Sequence, residues 1–215
     1  MSWSMNEVEA LAKKAARGAG MSWGFAEETG KATRCLLVHG IAVTEPLAEL
    51  LALQDGMRHS ALAPLDIAEV WSAPGGRLCP IAAGTCLSDF AWTLEERAIS
   101  MGAVAYPVFL IPFAQMAARS LGRAVSLKFD GVEITVSATE IRVPGDDGAL
   151  LITGCQTIQV SLAPRLSGHP LPQTSRAEIA PETAACLTQF AHRTYAPATE
   201  ESRLAGAGSG LTDND

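Results

Sequence analysis

Apolar residues recur at helical spacing through the first third of the chain. Ser4 and Glu7 have the S-x-x-E spacing of a capping box. Val8, Leu11, Ala12, Ala15 and Ala16 then share one helical face, and Gly18 stands where a helix commonly ends. The loop Gly18-Ala19-Gly20 leads to Ser22, a suitable N-cap for a second helix striped by Phe25, Ala32, Leu36 and Leu37 and stopped at Gly40. A third helix is predicted from Thr44, with Pro46 in its first turn, through Leu47, Leu50, Leu51 and Leu53 to Gly56. Glu9 with Lys13, and Glu27 with Lys31, are acid-before-base pairs at i,i+4, each contributing roughly 0.2–0.5 kcal/mol.

The middle of the chain is mixed. Pro74, Gly75, Gly76 and Pro80 predict a loop over 71–81 that enters a short buried strand. Thr93-Leu94-Glu95-Glu96 predicts a second capping box and a short helix closed by Gly102. The unbroken run Val108-Phe109-Leu110-Ile111 predicts a strand buried on both faces, followed by a helix from Phe113 to Leu121 that Gly122 ends. From Ala124 the period becomes two: Val125, Leu127 and Phe129 alternate with Ser126 and Lys128. Asp130-Gly131 then predicts a type I′ turn, with Ile134 and Val136 on the return strand. Segments 141–143 and 157–162 extend the sheet. A proline-rich crossing over 163–173 precedes a helix from about Pro181 to Thr194, and Pro197 opens a short final one. This order predicts an α+β fold: N-terminal helices, a mixed or antiparallel sheet with a β-hairpin near 125–137, and C-terminal helices. One domain is expected over 1–215, with a helical part over about 1–60 and a glycine-rich acidic tail over about 206–215.

Composition narrows the classes. Of 215 residues, 48% are hydrophobic and 18% charged, below the usual ~25% charged, which leaves room for an apolar face buried in a homo-oligomer. The net charge of −7, with 16 scattered basic residues, speaks against nucleic acid as a partner. Five widely spaced cysteines form no C-x-x-C pair and read as buried free thiols. No signal-peptide run opens the chain, and the longest apolar stretch, 104–114, is broken by Pro107 and Pro112. A cytoplasmic protein with no membrane partner is therefore expected.

Two stretches carry a resemblance. Asn6-Glu7-Val8-Glu9-Ala10-Leu11-Ala12, Ala16-Arg17-Gly18-Ala19-Gly20 and Trp23-Gly24-Phe25-Ala26-Glu27-Glu28 resemble the opening of an uncharacterised bacterial family, a domain of unknown function. The segments 195–203 and 206–215 resemble that family's close. The resemblance implies a bacterial origin and full-length relatedness, and transfers no activity. The first fifty residues are also similar to the N-terminal helical hairpin of the type-2 malate and lactate dehydrogenases. Their serine-histidine-glycine element is missing, because no serine precedes His39-Gly40.

No nucleophile or metal motif is present: G-x-S-x-G, H-E-x-x-H and Cys/His zinc spacings are all absent. No metal site is expected, and no cofactor or catalytic residue can be assigned. His39, His59, His169 and His192 are dispersed. Three features could bind a small, polar, anionic metabolite. The loop Gly18, Gly20, Ser22 before a helix could present amide N–H groups to an anion, with Arg17 beside it; a tight helix connection is the plainer reading. Glu27, Lys31 and Arg34 share one face of the second helix, as a binding surface or as an ordinary solvated one. Arg203 and Asp213 could be brought into a pocket by the glycine-rich tail, which as a terminus would otherwise be solvated chain. Asp66 and Asp89 adjoin tryptophan-bearing apolar segments, Asp66 being equally suited to cap a helix. The two readings carried forward are a small-molecule enzyme or ligand-binding protein and a non-catalytic subunit with an apolar interface.

Overall fold

A computed structural model describes residues 2–145 and 147–195. Strand β1 (Ser2–Ser4) leads into α1 (Met5–Gly18), α2 (Trp23–Val38) and α3 (Thr44–Gln54). Both halves of the capping box form at α1: Ser4 Oγ accepts from the Glu7 amide, and a Glu7 carboxylate oxygen accepts from the Ser4 amide. Ser22 caps α2 through the Phe25 amide. The chain continues through β2 (Val70–Trp71), α4 (Pro80–Asp89), β3 (Ile99–Met101), β4 (Val104–Ala105) and α5 (Ile111–Leu121). Then follow β5 (Val125–Phe129), β6 (Val132–Val136), β7 (Ile141–Val143), β8 (Gly154–Cys155), β9 (Ile158–Leu162), β10 (His169–Pro170), β11 (Arg176–Glu178) and α6 (Pro181–His192).

The fold is α+β. A mixed seven-stranded sheet runs β10-β7-β6-β5-β9-β3-β2, antiparallel except for the β2–β3 pair. Its centre is the predicted hairpin, with Phe129 opposite Val132 and Val125 opposite Val136. Asp130 and Gly131 have φ of +46° and +80°, as a type I′ turn requires. Two short pairs, β1–β11 and β4–β8, stand apart. Helix α1 packs on α2 and α6; α5 touches β5 and β6 as well as α2 and α4, and so joins the sheet to the helices. One apolar cluster runs from Val8 in α1 through Leu36, Leu50, Phe109 and Val160 to Leu187 in α6. No helix among the described residues is long and apolar enough to cross a membrane.

Four local expectations are corrected. Val108–Leu110 belongs to a 3₁₀ turn, Pro107–Leu110, that feeds α5, and all three side chains are fully buried. A short apolar run buried on every side carries no period, and Pro107 removes a donor that a ladder would need. Pro80 opens α4 rather than a strand, because proline is well suited to the first helical position, where its missing N–H is not required. The helix expected from Thr93 to Gly102 is a 3₁₀ turn, Ala91–Glu95, followed by strand β3. Glu9 and Lys13 pair across to α2 instead of with each other: Arg34 reaches Glu9 at 2.9 Å and Lys13 reaches Glu27 at 3.4 Å. The short helix expected at Pro197 and the acidic tail lie outside the described residues.

Candidate functional site

The connection from α1 to α2 is built tightly. A Cβ on Gly18 would run into the backbone carbonyl of Phe190, so this glycine is what lets α6 approach. Arg17 donates to the Met21 carbonyl at 2.8 Å and lies over the Trp23 ring, 5.2 Å from its centroid. Phe25, in the first turn of α2, meets the His59 ring at 4.2 Å. Between this loop, the end of α3 and the start of α4 lies a narrow recess of about 30 Å³, lined by Gly20, Met21, Phe25, Gln54, His59, Cys79 and Ala82 among others. A second, larger recess of about 160 Å³ shares Gln54, Met57 and Leu62 with the first and adds Arg77 and Ala105.

Gln54 is the most informative side chain in this region. It is 6% exposed and lines both recesses, yet its Oε1 is buried and accepts no hydrogen bond among the described residues. The carboxamide acts instead on the Cys79 sulfur. Turning the amide over would exchange its ends and leave an N–H group dry instead. A buried amide oxygen without a partner costs roughly 1–3 kcal/mol, so a donor arriving at Gln54 would recover that loss.

Cys79 sits at the N-cap of α4, which has no side-chain capping hydrogen bond. Burial pushes its thiol up from the ordinary range; the Ala82 and Ile81 amides and the Gln54 carboxamide oppose that push without overcoming it. The thiol is therefore protonated at neutral pH, with the first amides of α4 directed at its sulfur. Burial also lowers the His59 pKa, so the ring at the mouth is a neutral imidazole at neutral pH. Beside the second recess, the Tyr106 hydroxyl donates to Glu49 at 2.9 Å. Tyr106 itself is held at φ +44°, a left-handed backbone conformation uncommon for a residue with a side chain. Burial first, and then the Glu49 carboxylate, push its pKa up to about 12.

The residues picked out from sequence fall into three groups. Gly20 lines the recess, while Arg17, Gly18 and Ser22 hold its wall in place. Glu27, Lys31 and Arg34 lie together on the α1–α2 surface, away from the Gln54 recess. Lys31 reaches Glu27 at 3.2 Å and Glu28 at 3.0 Å, and Glu27 is lowered by Lys31 and then Lys13. Arg203 and Asp213 lie outside the described residues. Asp66 receives the Ala68 amide and so caps a turn rather than a helix. Gln54, His59, Arg77 and Cys79 were not anticipated. For Gln54 a signal existed: Leu47, Leu50, Leu51 and Gln54 continue one helical stripe, which puts a polar group at a core-facing position.

The stretch that builds the recess can be placed among known sequences. Residues 3–79 match a family described as Protein of unknown function (DUF3726). The matched segment holds the glycine loop, Gln54, His59, Arg77 and Cys79, and ends before the C-terminal stretch in which a likeness was also seen. No curated protein matches the chain. Among solved structures, the malate dehydrogenase from Entamoeba histolytica is similar at a TM-score of 0.46 and 10% identity. That alignment covers 66% of this chain and 45% of the dehydrogenase, so the chain spans less than half the length of the enzyme.

Proposed function

We propose that the chain binds a small polar metabolite in the paired recesses around Gln54. The ligand class supported best is a small carboxylate or phosphate that also carries an N–H or O–H group. Its donor would satisfy Gln54 Oε1. Its anionic end would take Arg77, whose guanidinium has no ion-pair partner among the described residues. The Gln54 carbonyl carries this reading, because among the described residues it is a buried polar end of the recess wall with no hydrogen-bond partner.

The test is a thermal-shift series with small hydroxy acids, amino acids and sugar phosphates on the wild type and on Gln54→Leu. A ligand at 100 times its Kd stabilises by about 2.7 kcal/mol, which at roughly 2–4 °C per kcal/mol for a chain of this size is readily seen. Gln54→Leu should raise the melting temperature of the free protein, since a dry polar atom is removed, and should abolish the ligand shift. No shift across the three classes, or an undiminished shift in Gln54→Leu, would overturn the reading.

A second reading, a subunit joined through an apolar face, rests on Leu53 and Met57, which are 49% and 43% exposed at the same mouth. A mass measurement in solution distinguishes the two: Leu53→Glu should leave a monomeric ligand-binding protein monomeric and should split an assembly.

A further inference from the structure

A different recess, of about 180 Å³, opens between α2 and α5. Its apolar wall is Ala32, Pro112, Phe113 and Met116, the last 45% exposed. Two cations stand on it: Lys31 of α2 and Arg119 of α5. Lys31 is engaged by Glu27 and Glu28. Arg119 donates a single hydrogen bond, from one terminal nitrogen to the Ala138 carbonyl at 3.1 Å, and has no carboxylate partner among the described residues.

Gln115 lies in the same recess and is 8% exposed. Its Oε1 accepts from the Cys35 thiol at 3.4 Å, while its Nε2 donates to no group among the described residues. The carboxamide thus keeps a donor end beside the recess that its residue lines. Arg119 is close enough to Cys35 to oppose the upward push that burial gives the thiol, which puts the guanidinium, the thiol and the Gln115 amide in one neighbourhood. The only negative group on the lining is Glu28, and Lys31 already answers it.

We infer that this recess is a second binding site, for an amphipathic monocarboxylate. Its carboxylate takes the free Arg119 N–H groups and the Gln115 Nε2 donor, and its short apolar body lies along Pro112, Phe113 and Met116. Arg119 does the anchoring because, unlike Lys31, it has no anion of its own. Cys35 lines the bottom of the recess, so an occupant would shield its sulfur.

The inference is tested by following maleimide labelling of Cys35 by peptide mass mapping in the presence of octanoate, and separately of inorganic phosphate. Octanoate should slow labelling of Cys35 at least tenfold and leave Cys86 and Cys186 unchanged. Arg119→Ala should raise the octanoate concentration needed by about tenfold or more, with Lys31→Ala having a smaller effect. Gln54→Leu should keep the protection, which separates this site from the recess around Gln54. Equal protection by phosphate would overturn the apolar half of the assignment. Absence of octanoate protection in the wild type, or full protection in a folded Arg119→Ala protein, would overturn the site itself.

Discussion

A Cβ at residue 18 would occupy the space of the Phe190 carbonyl, because α1 and α6 approach backbone to backbone at that point. A backbone oxygen cannot rotate away as a side chain can, so the two helices must separate. Gly18→Ala is expected to destabilise the fold by at least the roughly 1–3 kcal/mol typical of overpacking. A melting temperature within a degree of the wild type would contradict that packing. Residue-scale effects at the Gln54 recess have the opposite sign, since Gln54→Leu removes a polar atom that has no partner. The two substitutions therefore separate a site where the chain is tightly fitted from one where it is left incomplete.

At the scale of elements, the hairpin shows how strongly local chemistry can dictate structure. Gly131 sits at φ +80°, where a Cβ costs roughly 1–2 kcal/mol, so Gly131→Ala should lower the urea midpoint by about that equivalent while Asp130→Asn leaves it nearly unchanged. Helices α1, α2 and the hairpin were legible because period, caps and turn residues agree in each. The run from Val108 to Ile111 was not, because full burial removes the polar positions that would reveal its period. Pro80 reads as a breaker in the sequence although it opens α4, and with that helix went Cys79 at its start. The glycine loop was legible as a possible binding element, and Gly20 does line the recess. The rest of the lining was not, since Gln54, His59 and Cys79 come from three further segments that only the tertiary fold brings near.

For the whole molecule, the response to alkali follows from Tyr106. Its pKa is raised from 10.0 to about 12 by burial and then by Glu49, so folding favours the neutral phenol. Stability from this group is complete below about pH 10 and is lost as pH rises toward 12, because above 10 the unfolded chain releases the proton first. Tyr106→Phe should therefore flatten the fall in stability between pH 10 and 12, as measured by urea unfolding at stepped pH. Parallel curves for the two proteins would show that the phenol does not report on folding. Cys35 and Cys155, both raised to about 11 chiefly by burial, add to the slope in wild type and variant alike.

The margins of the seven-stranded sheet are β10 and β2, each two residues long, and one of the four residues is Pro170. A neighbouring chain seeking to polymerise by strand addition would find only a two-residue border to grip on either side, and at Pro170 a tertiary amide with no hydrogen to offer. Strand addition to the native sheet is thus disfavoured at both of its borders.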